Sequence, residues 1–542
     1  MRVGRSPSVL PSAAWGAALA CLTLAAIVAT TVGADLPLAA GPAAPRLIVL
    51  VVIDQFREEY VDRFRDRFGH GGFRRLQREG ARFTACLYPF ALTETAPGYA
   101  TLVTGTTPDR HGIVSNAWYD RDLGRMVTAI EDREFPYVGT REAKESASPR
   151  RLLGETFSDV LLRATGGRAR VFGVALKARA AVLSCAHASR GAFWYDTDSG
   201  RFVSSRYYGR ALPDWVAAFN AKRPADRFRG RVWSSHGLTL ARLPEAGLHL
   251  EDRFYEALQS TPYSHDLLFD FTQQLIEHER LGEDEVTDLL FIGLSAHDYL
   301  GHDTGPDSEA VAAMSAATDG QLAAFLRYLD GHLGRSGYWL GLSADHGIGP
   351  TLEQAEARGL QPVAVNRGRI RERIQRALRA RFGTGDDIRL LGETTRIWFD
   401  HDVLARRRVK IEEAARIAGE AALDVPGIKG YVAPGATNLD AGMVEAFRRS
   451  TYAGRSPDLF LLLAPYAVLR DTSAANHGTP WDYDAQVPLL LYGKAFKAGT
   501  YRDRCSPADL VPTLAAALGI QAPAQATGRV LRGAIVAAGN VP

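Results

Sequence analysis

Three runs of the chain are apolar almost without interruption, over 47–53 (LIVLVVI), 289–294 (LLFIGL) and 338–342 (YWLGL). A strand that faces water on one side alternates apolar with polar residues. An unbroken run of this length instead reads as a strand buried on both faces, the mark of a parallel sheet covered by helices. Each run is followed closely by polar residues: Asp54 after the first, Asp298 and His302 after the second, Asp345 and His346 after the third. The second is expected to end in a loop carrying Asp298 and His302. Between the runs the period changes. Over Ser308 to His332, Val311, Met314, Ala317, Leu322, Phe325, Leu326 and Leu329 recur at three-and-four spacing and predict an amphipathic helix. The pattern predicts an α/β, doubly wound, mostly parallel central sheet flanked by helices. In such sheets ligands bind outside the carboxyl ends of the strands, where the polar residues gather.

Two stretches depart from this rhythm. Residues 188–263 are rich in aromatics and turn residues. Residues 352–452 include a basic segment, RGRIRERIQRALRARFG, in which Ile370, Ile374, Leu378 and Phe382 form an apolar seam and Arg369, Arg371, Arg373, Arg376 and Arg379 lie mostly outside it. Both stretches are expected as insertions capping the active edge of one catalytic domain spanning 46–542. The aromatics Phe193, Trp194, Tyr195, Tyr207 and Tyr208 are expected in the core or, alternatively, around a leaving-group pocket. The arginine-rich segment reads as the solvated face of a cap helix.

The N-terminus is a different kind of sequence. Arg2 and Arg5 precede AAWGAALACLTLAAIVATTVGA, and Val32 and Ala34 stand at the −3 and −1 positions of a cleavage site. A signal peptide over 1–34 follows, with a periplasmic or secreted product and no membrane span after cleavage. The alternative is an uncleaved anchor, since the apolar run approaches the ~20 residues that cross a bilayer. After cleavage Cys86, Cys185 and Cys505 remain, so at most one intramolecular disulfide is expected. Over 542 residues, 46% are hydrophobic and the net charge is +3, which gives no case for a nucleic-acid partner.

Taken singly, an Asp after a strand is usually a cap and a lone His is usually structural. Asp54, Asp298, His302, Asp345, His346 and the later His477 change that reading by recurring at equivalent places. Imidazole and carboxylate donors together suit a borderline divalent cation such as zinc, and the number of donors implies two sites. Paired metals can activate one oxygen and stabilise another.

In this order, Asp54, TAPGYATLVTG, AHDYLGH, SADHG and NHG resemble the alkaline phosphatase superfamily over most of the chain. The resemblance implies two Zn2+ per chain, one held by Asp298, His302 and His477, the other by Asp54, Asp345 and His346 with Thr95. The T-A-P-G-Y segment resembles the threonine-type members, which makes Thr95 the expected nucleophile; Thr93 lacks a proline two residues on. Asn116, 21 residues after Thr95, is the expected donor to a phosphoryl oxygen. The segment GVALKARAAVL is expected to be extended, with Lys177 and Arg179 facing one way toward a dianion. This Lys-x-Arg pair resembles the exported, phosphate-irrepressible type of alkaline phosphatase. It favours phosphate monoesters over diesters, which carry one negative charge less. The related nucleotide pyrophosphatase/phosphodiesterases share the threonine loop and the metal ligands, and a diesterase is the alternative. A sulfatase is disfavoured by Thr95, and a non-catalytic binding protein by the full ligand set. Tyr99, where related loops often carry His, and Ala178, where an acidic residue is common, depart from the pattern, but neither is a proposed ligand.

Overall fold

The computed structural model describes residues 44–140, 145–187, 189–245, 251–383, 390–392, 395–469 and 473–536. The leader expected over 1–34 lies outside them. No helix among the described residues is long and apolar enough to cross a membrane.

The core is a ten-stranded sheet. Its central strand, Leu47–Ile53, is buried at every position and pairs in parallel with Asp288–Leu294 on one side and Tyr338–Ser343 on the other. Beyond Asp288–Leu294, Val171–Ala175 and Gly191–Asp196 continue the parallel order. Antiparallel pairing takes over on both flanks, with Leu489–Tyr492 beside Tyr338–Ser343 and Arg201–Ser205 beside Gly191–Asp196, and the sheet ends at Gly499–Tyr501 on one edge and Tyr137–Val138 on the other. The fully apolar runs are thus the middle strands, where both faces carry helices and each buried aliphatic side chain contributes roughly 1.5–3 kcal/mol. The helix expected over 308–332 runs over Glu309–Leu333, with the Ser308 hydroxyl accepting from the Val311 amide as its cap.

Part of the aromatic stretch departs from expectation: residues 191–205 supply two strands of the main sheet instead of an appended cap. Phe193, Trp194 and Tyr195 are buried in the core, the first of the two places expected for them. Their aromatic content reflects a strand packed on both faces. The later stretch builds a separate five-stranded sheet that includes Arg396–Phe399, Ile428–Ala433 and Leu459–Leu463. Leu459–Leu463 therefore does not return to the main sheet. The basic helix, Arg367–Phe382, buries Ile370, Ile374 and Leu378 in this unit's own core.

Two glycines show how closely the pieces approach. A Cβ on Gly293 would stand 2.7 Å from the Tyr99 hydroxyl, and one on Gly98 would stand 2.3 Å from the Asp345 carbonyl. Thr95–Thr104 is thereby pressed onto the sheet beside Asp345, with all ten residues buried. Among the cysteines, Cys86 and Cys505 face each other across a parallel bridge, while Cys185 donates to the Gly191 carbonyl away from both. All three are free thiols.

Candidate active site

Asp54 is the first residue past the central strand, and Asp345 and His346 follow the neighbouring strand by two and three; all three are fully buried. Asp298 and His302 come from a helix, Ala296–Thr304, and not from the loop expected after the second apolar run. The i,i+4 spacing is what aims both side chains the same way, a placement a loop would not enforce. His302 Nε2 stands 3.4 Å from Asp298 Oδ1, and His477 Nε2 reaches the same oxygen at 3.7 Å. His346 Nε2 lies 3.5 Å from Asp54 Oδ1 and 3.7 Å from Asp345 Oδ2. The rings of His346 and His477 stack with centroids 3.7 Å apart.

The tautomers of the three imidazoles are set by their other nitrogen. Nδ1 of His302 lies 2.9 Å from the Ala475 carbonyl, Nδ1 of His477 2.8 Å from that of Thr93, and Nδ1 of His346 2.9 Å from that of Gly347. A carbonyl only accepts, so each Nδ1 carries the proton and each Nε2 turns a lone pair inward. Burial pushes His346 and His477 down and keeps both neutral, with the neighbouring imidazoles adding to the effect at His477. Burial opposes charge on Asp298, but Lys177 and the adjacent histidines outweigh it and hold the carboxyl well below the usual range. Burial, reinforced by the Asp54 carboxylate, drives Asp345 upward.

Donor atoms of Asp298, His302 and His477 lie within 4.8 Å of one another, as do those of Asp54, Asp298 and His346. Asp298 thus touches both clusters, and Asp345 stands beside the second. Asp54 Oδ1 and Asp345 Oδ2 are buried acceptors without a hydrogen-bond donor. Such orphans are costly in a protein interior, and a cation beside them removes the cost. The donor set therefore fits divalent metal.

Lys177 and Arg179 do not share one side of a strand. The strand ends at Ala175, Lys177 caps the helix Ala178–Cys185, and Arg179 sits in its first turn. The turn swings the lysine inward. Its Nζ is 2.6 Å from Asp54 Oδ2 and also pairs with Asp298, so it supplies the counter-charge between the two carboxylates. Arg179 Nε is buried without an acceptor.

Thr95 and its neighbours form the first turn of a helix, with Glu94 as the N-cap residue. The Thr95 hydroxyl stands 3.5 Å from His346 Nε2. At the N-terminus of a buried ten-residue helix, the helix dipole favours negative charge at that oxygen. Asn116 accepts from the Ala96 amide through Oδ1 at 2.8 Å, which leaves its NH2 group to donate elsewhere. Tyr99 points to Gly293, away from the imidazoles.

Three residues here had no sequence signal. The Gln55 side chain donates to Asp298 and its amide to Asp345, from a backbone at φ 63°. Glu94 and Arg396 form a buried ion pair at 2.5 Å. Glu94 also accepts from the Ser115 hydroxyl and the Asn116 amide, each at 2.8 Å. Burial works against the Glu94 charge, but Arg396 and these donors hold its carboxyl below the ordinary value. The strand of the second sheet that carries Arg396 is thereby tied to both Thr95 and Asn116. Arg396→Ala is expected to cost about 3–5 kcal/mol in denaturant unfolding, because it strands a buried carboxylate. Combining Arg396→Met with Glu94→Gln is expected to recover most of that loss; an uncorrected double variant would show that the charge pairing is not the cause.

The chain is similar to known proteins over most of its length. Residues 48–474 match the model of the type I phosphodiesterase / nucleotide pyrophosphatase family. The chain is 30% identical over 518 residues to alkaline phosphatase PhoV of Synechococcus elongatus, covering 90% of this chain and 92% of the relative. To alkaline phosphatase PafA of Elizabethkingia meningoseptica it is 29% identical, covering 90% and 93%. The crystal structure of wild-type PafA superposes with a TM-score of 0.84 at 28% identity, over 91% of this chain and 99% of that one. A PafA variant carrying replacements of a threonine, an asparagine, a lysine and an arginine superposes equally well, with a TM-score of 0.84 at 27% identity, over 91% of this chain and 99% of the variant. By the family match, the overall superposition and the buried carboxylate-imidazole centre at the strand ends, this chain belongs to the type I phosphodiesterase/nucleotide pyrophosphatase family and is an enzyme of the alkaline phosphatase superfamily.

Proposed function

We propose that the protein is an exported phosphomonoesterase of the alkaline phosphatase kind, with Thr95 as nucleophile and two Zn2+ held by Asp54, Asp298, His302, Asp345, His346 and His477. The observation that carries the reading is the convergence of the Thr95 hydroxyl, the inward Nε2 atoms and the buried carboxylates on one point outside the central strands. When bound, the two cations supply positive charge that eases proton loss from a hydroxyl and neutralises a leaving oxygen.

The chain's own groups do the rest. Thr95 gives its hydroxyl proton to solvent and Oγ1 attacks phosphorus in line; the Oγ1–P bond forms as the bond to the leaving alcohol oxygen breaks, and that oxygen takes a proton back from solvent, so none is gained or lost overall. A water molecule then displaces Oγ1 from phosphothreonine, returning the hydroxyl and releasing inorganic phosphate. Two in-line displacements retain configuration at phosphorus. The free NH2 of Asn116 and the unpartnered Arg179 are placed to donate to the equatorial oxygens, where charge spreads in the transition state. Lys177 adds a compact positive charge. The replaced threonine, asparagine, lysine and arginine of the PafA variant match these four residue types, which supports the assignment.

A monoester carries one more negative charge than a diester. In the double variant Lys177→Ala with Arg179→Ala, kcat/KM for p-nitrophenyl phosphate is therefore expected to fall roughly 10²–10³-fold, against about tenfold for bis-p-nitrophenyl phosphate. Equal losses on the two substrates would point to a diesterase instead. The wild-type ratio of the two rates is the direct test of the proposal.

A further inference from the structure

A cavity of 240 Å³ opens directly beside the candidate site and is walled on its far side by the second sheet. His302, His477 and Asn116 line it from the catalytic side; Leu463, Tyr466 and Val468 line it from the other. Under the reaction proposed above, on which this inference rests, the imidazole side is where the departing alcohol lies. The apolar wall suits the carbon skeleton of that alcohol.

One polar group in this wall has no assignment. Arg367 lines the same cavity, and its Nε is buried without an acceptor. It forms no ion pair among the described residues, although other arginines of its helix do: Arg373 pairs with Asp424, and Arg376 with Glu372. The fold places it deliberately close. The strand Val363–Val365 pairs in parallel with Ala467–Leu469, with Val365 opposite Leu469, so the chain enters the helix Arg367–Phe382 at the cavity rim. Two carboxyl groups lining the cavity are already engaged, Glu94 by Arg396 and Asp484 by the amide and hydroxyl of Thr479. An uncompensated guanidinium in a half-apolar cavity is a receptor for an anion, and its fork favours carboxylate or phosphate oxygens.

The geometry points to a leaving-group subsite in which Arg367 selects phosphate monoesters whose alcohol carries a second anionic group. The recognised chemistry is a carboxylate or a further phosphate on a small apolar skeleton. Unlike Lys177 and Arg179, this residue belongs to the inserted unit, so it sets preference among monoesters and not the phosphoryl chemistry.

The test compares phenyl phosphate, 4-carboxyphenyl phosphate and hydroquinone bisphosphate in the metal-loaded wild type, Arg367→Ala and Arg367→Lys. Wild type is expected to favour the doubly anionic substrates by about tenfold in kcat/KM, carried in KM; the carboxylate and bisphosphate arms show which anion fits better. Arg367→Ala is expected to erase that ratio, Arg367→Lys to keep part of it, and Arg376→Gln, outside the cavity, to leave it as in wild type. A wild-type ratio near one, or a ratio unchanged in Arg367→Ala, overturns the subsite. Binding of 4-hydroxybenzoate against phenol, measured by calorimetry, separates the two levels. Arg367-dependent binding of the carboxylate in a protein that does not hydrolyse phenyl phosphate would sink the monoesterase proposal and leave the subsite standing. Binding indifferent to Arg367 would sink the subsite, whatever the turnover.

Discussion

Thr95→Ala is expected to lower kcat for p-nitrophenyl phosphate by roughly 10⁴-fold or more, about 5.5 kcal/mol of transition-state stabilisation, while leaving thermal unfolding almost unmoved. The loss is large because the hydroxyl is the atom that forms the new bond, and the other side-chain oxygens at the start of this helix are engaged, those of Glu94 by Arg396 and Ser115 and that of Asn116 by the Ala96 amide. Thr93, the nearest rival, is already committed: its hydroxyl donates to the Thr479 carbonyl at 2.8 Å. The small effect on folding follows from what Thr95 touches, a long 3.5 Å contact to His346 and no cap bond. Thr95→Ser keeps the oxygen and is expected to retain most of the activity. Wild type quenched in acid during turnover is expected to carry phosphate on Thr95, detected by peptide mass spectrometry. Absence of that adduct together with an active Thr95→Ala enzyme would remove the nucleophile from the proposal.

Chelation is the second large effect. Dialysis against a strong chelator is expected to abolish hydrolysis by at least ~10³-fold and to lower the melting temperature, with zinc restoring both. Asp54 and Asp298 share one donor cluster and the buried Asp345 feels both of their charges, and carboxylates so placed repel. Without metal, Lys177 is the cation that compensates Asp54 and Asp298, and Asp345 is left to take up a proton. The metal-free protein is therefore expected to fold but to melt earlier. Full activity after exhaustive chelation would show that the clusters are structural.

The middle of the fold was legible in the order of residues because a strand buried on both faces cannot carry polar groups. The runs at 47–53, 289–294 and 338–342 became the three central strands for that reason. The same constraint explains why the polar residues just past them could be singled out: the end of a buried strand is where the chain can again afford charge. The helix at Glu309–Leu333 was equally plain, since its apolar spacing and its serine cap are local properties. Places where expectation and structure part have local causes too. The stretch at 191–205 looks like part of an insertion because aromatics and turn residues suit both a cap and strands packed on two faces. The segments at Lys177 and Asp298 look like a strand and a loop because their helices run only eight and nine residues, too short for a helical period to stand out.

By itself, the sequence determined which side chains could make up a metal and phosphoryl centre and that they follow parallel strands, because residue type and hydrophobic period are written along the chain. Only the tertiary structure decided how these groups meet: Lys177 turned onto Asp54 and Asp298, Asp298 shared between two donor clusters, Glu94 locked by Arg396 from the second sheet, and Arg367 Nε at the cavity without an acceptor among the described residues. Those contacts join residues up to several hundred positions apart, and their energies come from burial and from the partner's charge. Neither quantity exists until the chain has folded.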